Sequence, residues 1–320
     1  MPGGIDAQQG TGWSDGFIMR SLIKVCGTEI RVQGWLLRTA RLEADKYQFL
    51  DDPTELLNGL RSCGKRIDLF TFMQKLPETA PKYAFPMEWD NLAVLPVSTF
   101  EHWWKQQIRF APRGRVRQAE KKGVTVREVP FDDALVRGIW EVYNECPVRQ
   151  GRPFRHYGMD RQTVHKVEAT HLDRSIFIGA FLGEKLIGFI KLVHDETRTQ
   201  ANLMNIISMV QEKDKCPTNA LIAQAVRSCA DRAIPFLVYQ QFSYGNERSD
   251  GISNFKAVNG FGRVDVPRYY VPLTRLGSVA FRLGLHKKLS DHLPQSMIGK
   301  LRELRRDWHN RKLQASTETS

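Results

Sequence analysis

The stretch Ala201–Val210, reading Ala-Asn-Leu-Met-Asn-Ile-Ile-Ser-Met-Val, constrains the fold more than any other part of this chain. It is almost continuously apolar and too short for an isolated helix, so it reads as a central strand buried on both faces. A polar loop follows, Gln211-Glu-Lys-Asp-Lys-Cys216, and then Pro217. Proline suits the first turn of a helix, where its missing N–H would have no partner in any case. From Leu221 the apolar residues Leu221, Ile222, Ala225, Val226, Cys229, Ala230 and Ala233 fall on one stripe, a helix packed on a sheet. A buried strand running into a helix N-terminus gathers free backbone N–H groups at the positive end of the helix dipole, and so favours an anion. Lys213 and Lys215 lie just before that point. A plain strand–helix unit with a solvated loop accounts for the same pattern.

At 320 residues the chain suits two domains of ordinary size, and its 42% hydrophobic content belongs to a folded protein. No apolar run reaches the ~18–20 residues a membrane span needs. Residues 1–16 show no secretory leader pattern. Five scattered cysteines without a CxxC pair argue for reduced thiols in a cytosol and against a structural zinc site. The net charge of +12 favours polyanions, whether nucleic acid, an anionic membrane surface or phosphorylated ligands. The charge gathers in two places, Lys105 to Lys122 and the segment after Arg275.

Four segments follow from the pattern: a flexible N-terminus (1–16), a small αβ half-domain (17–104), a larger αβ domain (105–274) and basic C-terminal helices (275–320). The first half reads as strands Phe17–Val25, Glu29–Leu37, Ile67–Met73 and Leu92–Val97, with a helix over Asp51–Leu60. A helix is predicted over Thr99–Lys122, with an aromatic face and a basic side that is either simply wet or in contact with an anion. The second domain then reads as strand Val124–Val129, helices Asp132–Asn144 and Arg161–Arg174, and a hairpin of Ser175–Leu182 and Lys185–His194. The central strand and helix come next, then strand Phe236–Gln240, helix Ser253–Asn259 and strands Arg263–Tyr270 and Val271–Leu273. Leu276, Val279, Ala280, Leu283 and Leu285 form an apolar stripe, and a second helix is expected over Ser296–Leu313. These helices are either a cap packed on the core or a surface element on anionic lipid.

Arg117-Gln-Ala-Glu-Lys-Lys-Gly-Val124 resembles the helix-to-strand entry of the second domain in Fem-type, GNAT-like transferases. Phe255-Lys-Ala-Val-Asn-Gly-Phe261 is similar to a late segment of the same group, and Arg268-Tyr-Tyr-Val-Pro-Leu273 to its closing strand. The resemblance covers residues 105–273 well and 17–100 more weakly. It implies an α/β fold of the GNAT acyltransferase kind on a mixed sheet, with a degenerate first GNAT-like half. It also implies acyl transfer to an amine, with the carbonyl oriented by backbone N–H groups of the central strand and no fixed nucleophile required. GNAT enzymes hold acyl-CoA by its pyrophosphate at the N-terminus of the helix after that strand. Fem-type relatives use aminoacyl-tRNA. The usual pyrophosphate loop, Gln/Arg-x-x-Gly-x-Gly/Ala, is replaced here by Gln211-Glu-Lys-Asp-Lys-Cys-Pro217, without a glycine to let phosphate close to the backbone.

On this resemblance the donor-binding candidates are Asn205, Ser208, Met209, Lys213, Lys215, Pro217, Thr218, Asn219 and Lys256. His156, Tyr157 and Tyr244 are the candidates for moving a proton. Arg149, Arg152 and Arg155 are the candidates for gripping an anionic acceptor. Cys216 reads either as a thiolate at a helix N-terminus or as a small residue at a capping position. The expected activity is transfer from an activated donor, with acyl-CoA or acetyl-CoA favoured, to an amine on an amino-sugar or cell-envelope precursor. It is placed in the cytoplasm or at the inner face of the membrane, with no metal. The alternatives are aminoacyl-tRNA-dependent transfer, and a non-catalytic module that binds nucleic acid or a membrane surface.

Overall fold

The computed structural model of the chain describes residues 20–149, 152–243 and 251–287. Its first half runs β1 (Arg20–Val25), β2 (Thr28–Gln33), β3 (Thr39–Leu42), α1 (Thr54–Ser62), β4 (Leu69–Met73) and β5 (Met87–Pro96). A short α2 (Phe100–His102) passes into a π-turn over Trp103–Gln107, and α3 (Phe110–Lys121) follows. Next come β6 (Val124–Val129), α4 (Asp133–Asn144), the small hairpin β7 (Val148–Arg149) and β8 (Arg152–Pro153), and α5 (Arg161–Glu168). The remainder is β9 (Ser175–Leu182), β10 (Lys185–His194), β11 (Gln200–Ser208), α6 (Pro217–Asp231), β12 (Phe236–Gln241), α7 (Gly251–Val258), β13 (Gly262–Pro272) and α8 (Arg275–Arg282).

Among the described residues, eleven strands form one mixed sheet in the order β1-β2-β3-β4-β13-β5-β12-β11-β10-β9-β6. The late strand β13 lies between β4 and β5 and pairs antiparallel with both, so the sheet runs unbroken across residue 104. One layer of helices, α3 and α6, covers one face of the second half; α4 and α5 cover the other, and both layers pack on β10. Leu221, Ile222, Ala225, Val226 and Cys229 of α6 are buried with Ile190 and Leu192 in the main core. These five residues of the expected stripe meet the sheet, whereas Ala230 is only partly buried and Ala233, past the end of α6, is exposed.

The expected helix over 99–122 is broken. Ile108 and Arg109 are extended, at φ −75°, ψ 135° and φ −72°, ψ 165°. Pro112 cannot donate to the carbonyl of Ile108, so the chain must restart a helix within the preceding turn. The helix expected over 161–174 ends at Glu168, because the buried Lys191 ammonium takes the carbonyls of Glu168 (2.7 Å) and Thr170 (2.6 Å) in place of another turn. The two closing strands are a single strand, β13. The expected apolar stripe faces largely outward: Leu276 and Val279 of α8 and Leu283 and Leu285 just after it are exposed, while its Ala280 is buried beside Gly277. The tight approach of Gly277 to Asp68 turns the helix that way. The N-terminal segment 1–16, Tyr244 and the helix expected over 296–313 lie outside the described residues.

Candidate functional site

Two features of β11 set the geometry. Its parallel pairing with β12 is confined to Gln200–Asn202 against Phe236–Val238, and beyond that the strands part. Its antiparallel pairing with β10 jumps from Leu203 to Asn205, leaving Met204 as a bulge. A bulge adds one residue and turns the side chains after it to the opposite face. Asn202 and Asn205, three apart, thereby both point to the α4–α5 face: Asn202 donates to Lys46 O at 2.9 Å and Asn205 to Glu168 at 3.0 and 3.1 Å.

Glu168 is the centre of a buried polar cluster. Its carboxylate also accepts from the Tyr143 hydroxyl at 2.7 Å, and both residues are inaccessible to solvent. Burial, then the Glu168 charge, pushes the Tyr143 phenol well above its ordinary value, so Tyr143 stays a donor. Lys191 lies beside it on β10, fully buried, its ammonium on the carbonyls of Glu168 and Thr170 and the Thr170 hydroxyl. Burial brings the Lys191 ammonium down to about 8.

His156 joins this cluster. Its ring stacks on Tyr143 at 4.3 Å, and Nε2 accepts from Arg155 Nε at 2.9 Å. That bond assigns the ring proton to Nδ1, which is buried and has no partner among the described residues. Burial and the neighbouring Arg155 and Arg149 bring the imidazole down to about 4, so it is neutral at pH 7. The base expected at this position is thus an occupied imidazole. Tyr157, next to it in sequence, is exposed at the surface.

Arg149 does not reach outward for an acceptor. Its guanidinium donates to Ser208 O (2.6 Å), Val142 O (2.7 Å) and Glu145 (3.3 Å), and stacks on Phe154 at 4.3 Å. It ties the end of α4 to the end of β11. Arg152 and Arg155 are exposed.

The loop ahead of α6 is closed upon itself. The Glu145 carboxylate accepts from the backbone N–H of Val210 at 3.1 Å and of Gln211 at 2.9 Å. Lys215 pairs with Glu212 at 2.6 Å, and Asp214 draws in Lys122 at 2.7 Å. Lys213 is exposed. Ser208 and Thr218 share a hydroxyl–hydroxyl bond of 2.9 Å. Pro217 and Met209 are buried, and the buried Asn219 faces Asn259 at 3.5 Å. Cys216 holds the capping position with a left-handed backbone, φ 53°, and makes no side-chain cap. Lys256 is fully buried, bonded to Gln241 O and over the Tyr239 ring, away from the loop.

Ser208, Asn205, Arg149 and His156 are therefore brought together, and Lys256 is not. Glu145, Glu168, Tyr143 and Lys191 escaped the sequence reading. A lysine within Leu-Ile-Gly-Phe-Ile-Lys-Leu-Val was the available signal, since a charge inside a buried strand needs built partners. Among the described residues no three His, Cys, Asp or Glu side chains converge to hold a metal.

A concavity of about 700 Å³ lies between α3 and α7, with Arg109, Phe110, Arg115, Asn254 and Phe255 on its walls. Phe110 is 81% exposed.

The sequence matches no protein-family model and no curated protein. Its fold matches many solved structures, among them the following three. One is the C-terminal domain of a candidate lysylphosphatidylglycerol synthetase from Agrobacterium fabrum, at TM-score 0.53 and 13% identity, covering 82% of this chain and 87% of that one. FemX aligns at 0.51 and 11%, covering 83% and 90%. L-PGS from Bacillus licheniformis aligns at 0.54 and 12%, covering 82% and 87%. The chain has the GNAT-like fold in the arrangement these structures share.

Proposed function

We propose that this protein transfers an aminoacyl group from aminoacyl-tRNA to an acceptor on a polar or envelope-linked molecule. The observation that carries the reading is the Glu145 carboxylate on the amides of Val210 and Gln211. The resemblance puts a donor's pyrophosphate at this loop, and a carboxylate already bonded to two of its amides would repel one there. The pairing of Lys215 and Lys122 and the lack of a glycine in the loop also speak against a CoA donor. A donor activated as an ester on nucleic acid needs no such cradle. The cleft between α3 and α7 supports the choice, because arginines beside an exposed aromatic ring suit the phosphates and bases of a single-stranded end. The net charge of +12 points the same way. One of the fold neighbours is named for lysylphosphatidylglycerol.

In this reading the parted edge of β11 after Asn202 receives the acyl carbonyl, whose developing charge is met by backbone N–H groups. The cluster of Tyr143, Glu168, Lys191 and Asn205 holds the bulge that sets that edge, and positioning supplies most of the rate. The amine attacks the ester carbonyl; the tRNA ribose oxygen leaves and takes up the proton the amine gives up.

The test is incubation of the purified chain with radiolabelled aminoacyl-tRNA and an envelope extract, alongside calorimetry with acetyl-CoA. Label appearing in an acceptor, with no heat from CoA, is the expected result. Binding of CoA with turnover of its acyl group overturns the donor assignment. Tight binding of tRNA should weaken steeply with salt.

A further inference from the structure

We propose that the outward face of α8, together with the turn between β2 and β3, docks on an anionic lipid surface. The two elements meet at Asp68. Its side chain accepts from Arg38 N at 2.9 Å and from the Thr274 hydroxyl that caps α8 at 2.8 Å, and its carbonyl accepts from Leu273 N at 3.0 Å. Arg66 bonds both Asp68 and Leu36 O, which fixes the turn against the same anchor.

On the solvent side of this junction stand Trp35 and Leu36, 74% and 70% exposed, and the stripe Leu276, Val279 and Leu283. Large exposed apolar groups on two elements that share one anchor mark an interaction surface. Arg38, Lys65, Arg275 and Arg282 stand on the same segments, while Arg66 is paired with Asp68 and Lys287 with Glu88. The three stretches 34–38, 61–66 and 274–287 contain no aspartate or glutamate. Exposed apolar side chains that include a tryptophan, on segments whose exposed charges are mainly cations, with Glu88 beside Lys287 as the exception, match an interface with negatively charged headgroups. Among the described residues no helix is long and apolar enough to cross a membrane, so this contact is with the surface.

The test is flotation of the full chain with vesicles of phosphatidylcholine alone and with phosphatidylglycerol added, at low and high salt. Expected is binding to the anionic vesicles only, reduced by salt. The pair Trp35→Ser with Leu36→Ser, and separately Arg275→Glu with Arg282→Glu, should each weaken it at least about ten-fold. These positions are exposed, so unchanged thermal unfolding confirms the fold of each variant. Equal binding to both vesicle types, or binding unaffected by either pair, overturns the proposal. So does a wild-type chain that ignores both vesicles, the result expected if residues 288–320 or a second copy of the chain cover this face.

Discussion

The Glu145 carboxylate lies 2.9 Å from the backbone nitrogen of Gln211 and also holds the Arg149 guanidinium at 3.3 Å. One acidic side chain thus satisfies the strand-to-helix loop from within and links it to α4. Two backbone amides of the loop are taken by an anion that is part of the chain.

Removing that carboxylate should reopen the site. Glu145→Ala leaves two amides without their acceptor and takes the carboxylate, though not the Ser208 and Val142 carbonyls, from a largely buried arginine; it is expected to cost about 3 kcal/mol of stability. It should also create measurable binding of inorganic pyrophosphate where the wild type shows none. Denaturant unfolding and calorimetry check the two parts, and wild-type affinity for pyrophosphate would count against this account of the loop.

The Glu168 cluster predicts a second loss. Asn205→Ala strips the buried carboxylate of its amide donor and is expected to cost about 1–3 kcal/mol. Asn205→Asp should cost more, since it sets a second carboxylate within about 3 Å of the first. Melting temperatures of the two variants, compared at pH 7, decide the order.

His156 gives a pH dependence with a definite sign. Its imidazole titrates near 6.5 when unfolded and near 4 when folded. The stability from burying the neutral ring is present in full above pH 6.5 and is lost as the pH falls through 4. The stability difference between wild type and His156→Gln should therefore shrink by up to about 3 kcal/mol between those limits. A difference constant over that range, measured by urea unfolding, would contradict the buried neutral ring.

Gly277 leaves no room for a side chain. A Cβ there would lie 1.8 Å from the Asp68 carbonyl oxygen, a backbone atom that cannot step aside. Gly277→Ala is expected to push α8 off its seat at a cost of about 3 kcal/mol or more. Faster hydrogen exchange confined to α8 and the 34–38 turn would confirm that they share the anchor.

Local pattern carried much of the architecture. The strands 124–129, 175–182 and 185–194 stand where alternation and turn chemistry put them, because short-range apolar spacing and a Gly-Glu hairpin need no distant partner. Helix α6 was legible for the same reason: its stripe and its proline are local.

What the sequence settled by itself was the strand–helix unit of 200–231 and the sign of the surface charge, both properties of neighbouring residues. The tertiary structure alone decided which groups that unit faces. Glu145 reaches Gln211 across 66 positions and Asn205 reaches Glu168 across 37. The bulge at Met204, which brings Asn205 to the right face, depends on pairing with β10. The outward turn of the apolar stripe on α8 rests on a glycine meeting a carbonyl 209 residues earlier (277 − 68). Contacts of that range arise from packing, so no window of sequence contains them.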